Sequence, residues 1–215
     1  MQDIDTEIIE KIQSGDTESF RELVERYKDR AFSLTLKILK NRYEAEDSLQ
    51  DAFLKLYKSL IEKKYEAKAK FSTYFYSIVF NTAVDHYRKY TTKNFNITSI
   101  DVTDANYREG DELTKYFNES EIDNRLYIED LNLNTEKNVM SAEIQKIVTK
   151  YISAIPVHYS VILTMFYVNE MSQNEISEIL TLPLGTVKNR IFRAKEKLKE
   201  VLLRKYPTKE LLEYI

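Results

Sequence analysis

Residues 182–198 read LPLGTVKNRIFRAKEKL. Pro183 and Gly185 crowd the start, and neither residue type recurs before the stretch ends. Val187, Ile191, Ala194 and Leu198 follow one another three or four residues apart, which predicts one apolar helix face. The rest of the circumference carries Lys188, Arg190, Arg193, Lys195 and Lys197 against a single acid, Glu196. Either that charge merely keeps a long helix in water, or it faces a negatively charged partner.

The residues just upstream favour the second reading. In SQNEISEIL, Ser172 is placed to cap a helix and Glu175, three residues on, to complete a capping box. The short break TLP then separates this helix from the basic one. Two helices joined tightly, the second basic, predict a helix-turn-helix whose second member lies in the DNA major groove. The apolar stripe then packs on the first helix and on VILTMFYV, while Lys188, Asn189, Phe192 and Arg193 face outward. Free backbone N–H groups and the positive dipole end at the helix start suit a DNA phosphate. Gly185 allows a backbone to approach closely there.

Composition narrows the alternatives. The chain has 215 residues, 43% of them hydrophobic and 31% charged, enough for one large or two small folded domains. With only 3 Gly and 3 Pro, tight turns are few and long helices many. The absence of Cys removes disulfides, thiolate catalysis and sulfur-bound zinc. No run approaches the roughly 18–20 apolar residues of a membrane span. The acidic N-terminus does not resemble a secretory signal, so a cytoplasmic location without membrane insertion is expected. With two scattered His and no Gly-rich phosphate loop, no catalysis, cofactor or metal is expected.

The net charge of −3 conceals an uneven layout. Residues 1–93 hold 17 Lys and Arg against 16 Asp and Glu, residues 94–143 hold 4 against 12, and residues 144–215 hold 11 against 7. The expected organisation is therefore a helical domain over 1–93, an acidic linker over 94–141, a second helical domain over 142–206 and a tail over 207–215. In the first domain, Phe20, Leu23, Val24, Tyr27, Ala31, Leu34 and Ile38 trace one stripe, after Ser14-Gly15-Asp16 with its N-cap chemistry. Ala45, Leu49, Phe53, Leu56 and Leu60 trace a second over about 44–61, and a third helix is expected from Ser72 to about Tyr90. A short helix near 111–131 and helices over about 142–154, 156–168, 172–180 and 184–206 complete the expectation.

The stretch from Ile155 to Leu202 resembles the fourth domain of bacterial RNA polymerase sigma factors of the sigma-70 family, above all the extracytoplasmic-function subfamily. FRELVERYKDRAFSLTLKIL, YEAEDSLQDAFLKLYKSL and FSTYFYSIVFNTAVDHYRKY resemble successive parts of the second domain, in the family's order. The resemblance implies an all-α, two-domain initiation factor. Its expected partners are core RNA polymerase, promoter DNA and, in many cases, an anti-sigma factor. A stand-alone helix-turn-helix regulator is the alternative, but it leaves the N-terminal half without a task.

The resemblance assigns Lys188, Asn189, Phe192 and Arg193 to base reading at the minus-thirty-five element, with Thr186 and Arg190 on phosphate. Phe192 either touches a thymine methyl or sugar, or packs inward. The same module would meet the flap of the second polymerase subunit. The segment 63–90 interleaves cations with aromatic residues, a composition that holds single strands by stacking and backbone charge. By resemblance, Lys70, Phe71, Tyr74, Asn81, Asp85, Arg88 and Lys89 serve the minus-ten element and its melting. Tyr74 stands where the family usually has Trp, and Asn189 where it usually has Ser. On the second helix, Glu44, Asp47 and Asp51 share one face; without a His they read as acids favouring the helix dipole rather than a metal site. The resemblance places Asp47, Gln50 and Asp51 against the clamp helices of the largest polymerase subunit. The linker, longer than usual, either occupies a channel lined for nucleic acid or serves as a solvated tether.

Overall fold

The computed structural model describes residues 4–66, 70–97 and 150–205, with side chains through 89 and 204 in the last two segments. Helix α1 (Ile4–Gln13) buries Ile8, Ile9 and Ile12. Its Asp5, also buried, ties it to α2 by pairing with Arg26 at 3.1 Å and accepting the Tyr27 hydroxyl hydrogen bond. Asp16 caps a short 3-10 turn (Thr17–Ser19) by accepting from the Ser19 hydroxyl at 2.8 Å, and α2 (Phe20–Leu39) follows.

Helix α2 stops at Lys40, whose left-handed backbone lets its amide donate to Leu36 O at 2.9 Å. Asn41 immediately caps α3 (Arg42–Ile61), accepting from the amides of Tyr43 at 2.9 Å and Glu44 at 3.3 Å. A stop and a start on adjacent residues fold α3 back along α2. Helix α4 (Phe71–Ile97) then packs on both. It runs past the expected end near Tyr90 and beyond the expected start of the linker at 94. No Pro or Gly occurs in 91–97 to stop it.

The core of this half is aromatic. Phe75, wholly buried, stacks on Phe53 at 5.1 Å between ring centres and meets the edge of Tyr27 at 5.3 Å. Of the predicted inward residues, Leu23, Ala31, Leu34, Ile38, Ala45, Leu49, Leu56 and Leu60 are buried, while Phe20, Val24, Tyr27 and Phe53 are half-buried.

The C-terminal half comprises α5 (Val157–Leu163), a π-helical turn (Thr164–Val168), α6 (Gln173–Leu180) and α7 (Leu184–Lys205). The sequence pattern predicts one α-helix over 156–168 with Pro156 as its first residue. In the structure Pro156 precedes the helix, and the last turn widens into π geometry. Most of the expected helix at 142–154, and all of the one near 111–131, lie outside the described residues. Among the described residues there is no strand, and no helix is long and apolar enough to cross a membrane.

Buried apolar residues of both halves form one continuous cluster. Replacing Phe75 by Ala at its centre is expected to cost about 3–5 kcal/mol of stability, read by urea denaturation of the full chain.

Candidate nucleic-acid interface

The helix-turn-helix is built from caps and one buried stripe. The Ser172 hydroxyl accepts from the Glu175 amide at 3.3 Å, and the Glu175 carboxylate accepts from the Ser172 amide at 2.7 Å, the capping box expected from sequence. Helix α6 ends at Thr181 in left-handed backbone, φ 54°. The following residue, Leu182, is held by Ser177, whose backbone oxygen accepts its amide at 3.0 Å and whose hydroxyl donates to its oxygen at 2.5 Å. Val187, Ile191, Ala194, Leu198 and Leu202 of α7 are 0–1% exposed. With that face consumed, Lys188 and Arg193 project into solvent, while Thr186, Asn189, Arg190 and Phe192 are half-buried at its margin. A Cβ added at Gly185 would meet nothing within 4 Å, so the first turn of α7 is open to an approaching group.

Lys195 departs from the expectation that it belongs to the outward charge. Its ammonium lies 5.3 Å from the Phe166 ring centre and 5.6 Å from that of Tyr167, both in the π turn. Burial lowers its pKa from the usual 10.5, and burial pushes the Tyr167 phenol up to about 12.

In the N-terminal half, Asn81, Asp85, Arg88 and Lys89 are exposed on α4, and Asp85 and Arg88 approach to 3.9 Å. Phe71 is 2% exposed and sits inside the aromatic core, where it cannot present a face to a base. Tyr74 is half-buried. Its ring packs against Tyr65 at 5.1 Å, and its hydroxyl shares a hydrogen bond with Ser59.

On α3, Asp47, Gln50 and Asp51 are exposed, and Asp51 meets His86 Nε2 at 2.9 Å. Tyr43 and Leu54, 79% and 57% exposed, extend the Asp47–Gln50 stripe at helical spacing. Sequence reading passed over both because either one fits a core pattern equally well. Their only signal is that they fall four residues from Asp47 and Gln50, off the stripe that packs inward.

The two halves meet along a seam that no local pattern announces. Glu170 makes a two-pronged contact with Arg30, at 3.1 and 3.2 Å, and the Asn169 side-chain amide donates to Arg30 O at 3.0 Å. Glu175 takes the Lys70 ammonium at 3.2 Å and the Thr73 hydroxyl at 3.4 Å. Farther along, Phe80, Asn81, Val84, Asp85 and Arg88 of α4 face Ile179 and Leu180 of α6 and its C-cap Thr181 across a cleft. Burial pushes the Tyr76 phenol beside Asn169 up to about 12.

A recognition-type helix with an outward basic face and a second helical layer with exposed polar residues on α4 together define a DNA-binding protein of two helical modules. Residues 23–92 match the family described as Sigma-70 region 2, and residues 145–198 match Sigma-70, region 4. The ECF RNA polymerase sigma factor SigW of Bacillus subtilis is 33% identical over 194 residues, covering 90% of this chain and 94% of the relative. The RNA polymerase sigma-H factor of Pseudomonas aeruginosa is 30% identical over 203 residues, covering 94% and 95%. Among solved structures, CnrH in complex with the cytosolic domain of CnrY superimposes with a TM-score of 0.57 at 18% identity, over 93% of this chain and 97% of that one. The sigma factor RpoE in complex with the anti-sigma factor NepR from Bartonella quintana gives 0.57 at 14% identity, over 86% and 98%. The chain belongs to the extracytoplasmic-function branch of the sigma-70 family and directs RNA polymerase to promoters.

The Glu175 carboxylate carries a pH prediction. Burial raises its pKa, but the hydrogen bonds from Ser172 and the charge of Lys70 outweigh that and hold it below the usual 4.5. A depressed carboxyl contributes stability above the unfolded-state pKa and loses it as pH falls through the folded value. The stability gap between the native chain and Glu175→Gln, which can still cap α6, is therefore expected to be full at pH 7. It should shrink as the pH falls below 4.5 and through the lower folded value, as measured by denaturation across a pH series.

Proposed function

We propose that α7 reads the minus-thirty-five element, with Lys188, Asn189, Phe192 and Arg193 toward base edges and Thr186 and Arg190 toward phosphates. The observation that supports this best is the burial of the opposite face of α7 to 0–1%, which leaves these positions on the side that a groove can meet. Lys70, Tyr74, Asn81, Asp85, Arg88 and Lys89 form the minus-ten surface, and Phe71 supports it from the core. The functional modules are 1–93 and 142–206, with 94–141 as tether and 207–215 as tail.

Asp47, Gln50 and Asp51 form the docking face for the clamp helices of the largest polymerase subunit. Exposed Tyr43 and Leu54 supply the apolar part of that face, since charged groups steer and select while buried apolar anchors hold. The C-terminal module meets the flap of the second subunit. The protein acts in the cytoplasm without turnover chemistry of its own. An anti-sigma partner is part of this reading, because two structural neighbours, CnrH and RpoE, were solved in complex with CnrY and the anti-sigma factor NepR.

Run-off transcription from a promoter library with purified core polymerase tests the whole reading. Specific starts are expected only with this chain present, and starts identical to those of core alone would refute it. Arg193→Ala is expected to weaken binding to a selected upstream element by about 1–3 kcal/mol, read by footprinting of the holoenzyme. Asp47→Ala combined with Gln50→Ala is expected to lower recovery of core polymerase in a pull-down while leaving the thermal melt of the free chain unchanged.

A further inference from the structure

The basic side chains of α7 do not share one environment. Lys188 and Arg193 stand in solvent, and Lys197 pairs with Glu200 at 3.1 Å. Lys195 instead lies across two ring faces, 5.3 and 5.6 Å from their centres, and those rings meet edge to face at 5.0 Å. Phe166 and Tyr167 are consecutive in sequence. The turn Thr164–Val168 that carries both rings is π-helical, and both rings lie within reach of the one ammonium on α7.

We propose that Lys195 is a positioning residue for promoter recognition rather than a DNA-contacting cation: its seat on Phe166 and Tyr167 sets the rotation of α7 and thereby which side chains reach the bases. The inference rests on the reading of α7 as the minus-thirty-five helix. Lys188 lies seven residues before Lys195, which on a straight α-helix is about 20° in azimuth and about 10.5 Å along the axis. Fixing one therefore fixes the direction of the other. The buried stripe of Val187, Ile191, Ala194, Leu198 and Leu202 is aliphatic and decides which face of the helix turns inward; Lys195, at the margin of that face, adds the directional contact that fixes the angle more finely. A turn of 20° at a side-chain radius of 5–6 Å displaces a contact by about 2 Å, enough to break a hydrogen bond to a base edge. A cation held against two ring faces resists that turn, because moving off either ring loses an attraction strengthened by its partial removal from water.

The test uses the full chain assembled with core polymerase on promoter fragments whose upstream element was selected from a randomised pool. For each variant, affinity is measured against salt, and the ratio of binding to the selected and to a singly mismatched element is taken. Lys195→Met keeps the stem volume without the charge; Lys195→Arg keeps a cation over the rings. Lys195→Met and Phe166→Leu are expected to lower the discrimination ratio about ten-fold, within the range one mismatched pair is worth. Lys195→Met should leave the slope of log affinity against log salt unchanged, and Lys195→Arg should restore the ratio. A misfolded fraction lowers apparent affinity without altering that ratio. A slope reduced by about 0.9 in Lys195→Met, the value expected of Lys188→Ala, would make Lys195 a phosphate contact and overturn the proposal. An unchanged ratio in Lys195→Met would overturn it as well. If Lys188→Ala and Arg193→Ala also left slope and ratio untouched, the assignment of α7 to the upstream element would itself fall.

Discussion

The packing of one face of α7 against α5, the π turn and α6 is the constraint on which the rest of the C-terminal half depends. Val187, Ile191, Leu198 and Leu202 are each 0–1% exposed, and burying four such side chains is worth on the order of 6–10 kcal/mol, an upper estimate. Crowding like charges on the opposite face costs far less, since exposed charge pairs are worth about 0–1 kcal/mol each. Apolar burial therefore chooses the orientation, and the cations go where the stripe leaves room. The basic face is a by-product of packing before it is a binding surface.

The N-terminal half solves a related problem with aromatic rings. Tyr27, Phe53, Phe71 and Phe75 fill the space between α2, α3 and α4, with ring centres 5.1–6.3 Å apart. This core stiffens the N-terminal part of α4, which carries exposed Asn81, Asp85 and Arg88 one to four turns further on. If, as proposed, this surface holds separated bases, it gains from a backing that does not yield, because an ordered platform loses less entropy when the strand arrives.

Much of this was legible in the sequence. The apolar spacing in α2, α3 and α7, the capping box at Ser172 and Glu175, and the helix-turn-helix all depend on residues within one or two turns of each other. What escaped is non-local or off-period. Glu170 and Arg30 are 140 residues apart, so nothing in either segment marks the pair. Lys195 looked solvent-facing because the π turn beneath it follows no standard period. Phe71 fits a basic-aromatic strand-binding pattern and a core pattern alike, and only the arrival of Tyr27 and Tyr65 over its ring decides between them. Helix α4 outran its expected end because amphipathic pattern fades in 91–97 while nothing terminates the backbone.

The seam has a geometric consequence. The minus-ten and minus-thirty-five elements lie about 25 base pairs apart, roughly 85 Å along a duplex rising 3.4 Å per pair. In the structure α4 and α6 touch, with Lys70 on Glu175 at 3.2 Å. On the proposed assignment of α4 and α7 to these elements, a chain folded this way is too short a caliper: the jaws must part before both can be measured at once. The Arg30–Glu170 and Lys70–Glu175 pairs, whose cations are about half exposed or more, resist that parting little; its cost lies in the apolar cluster that both halves share.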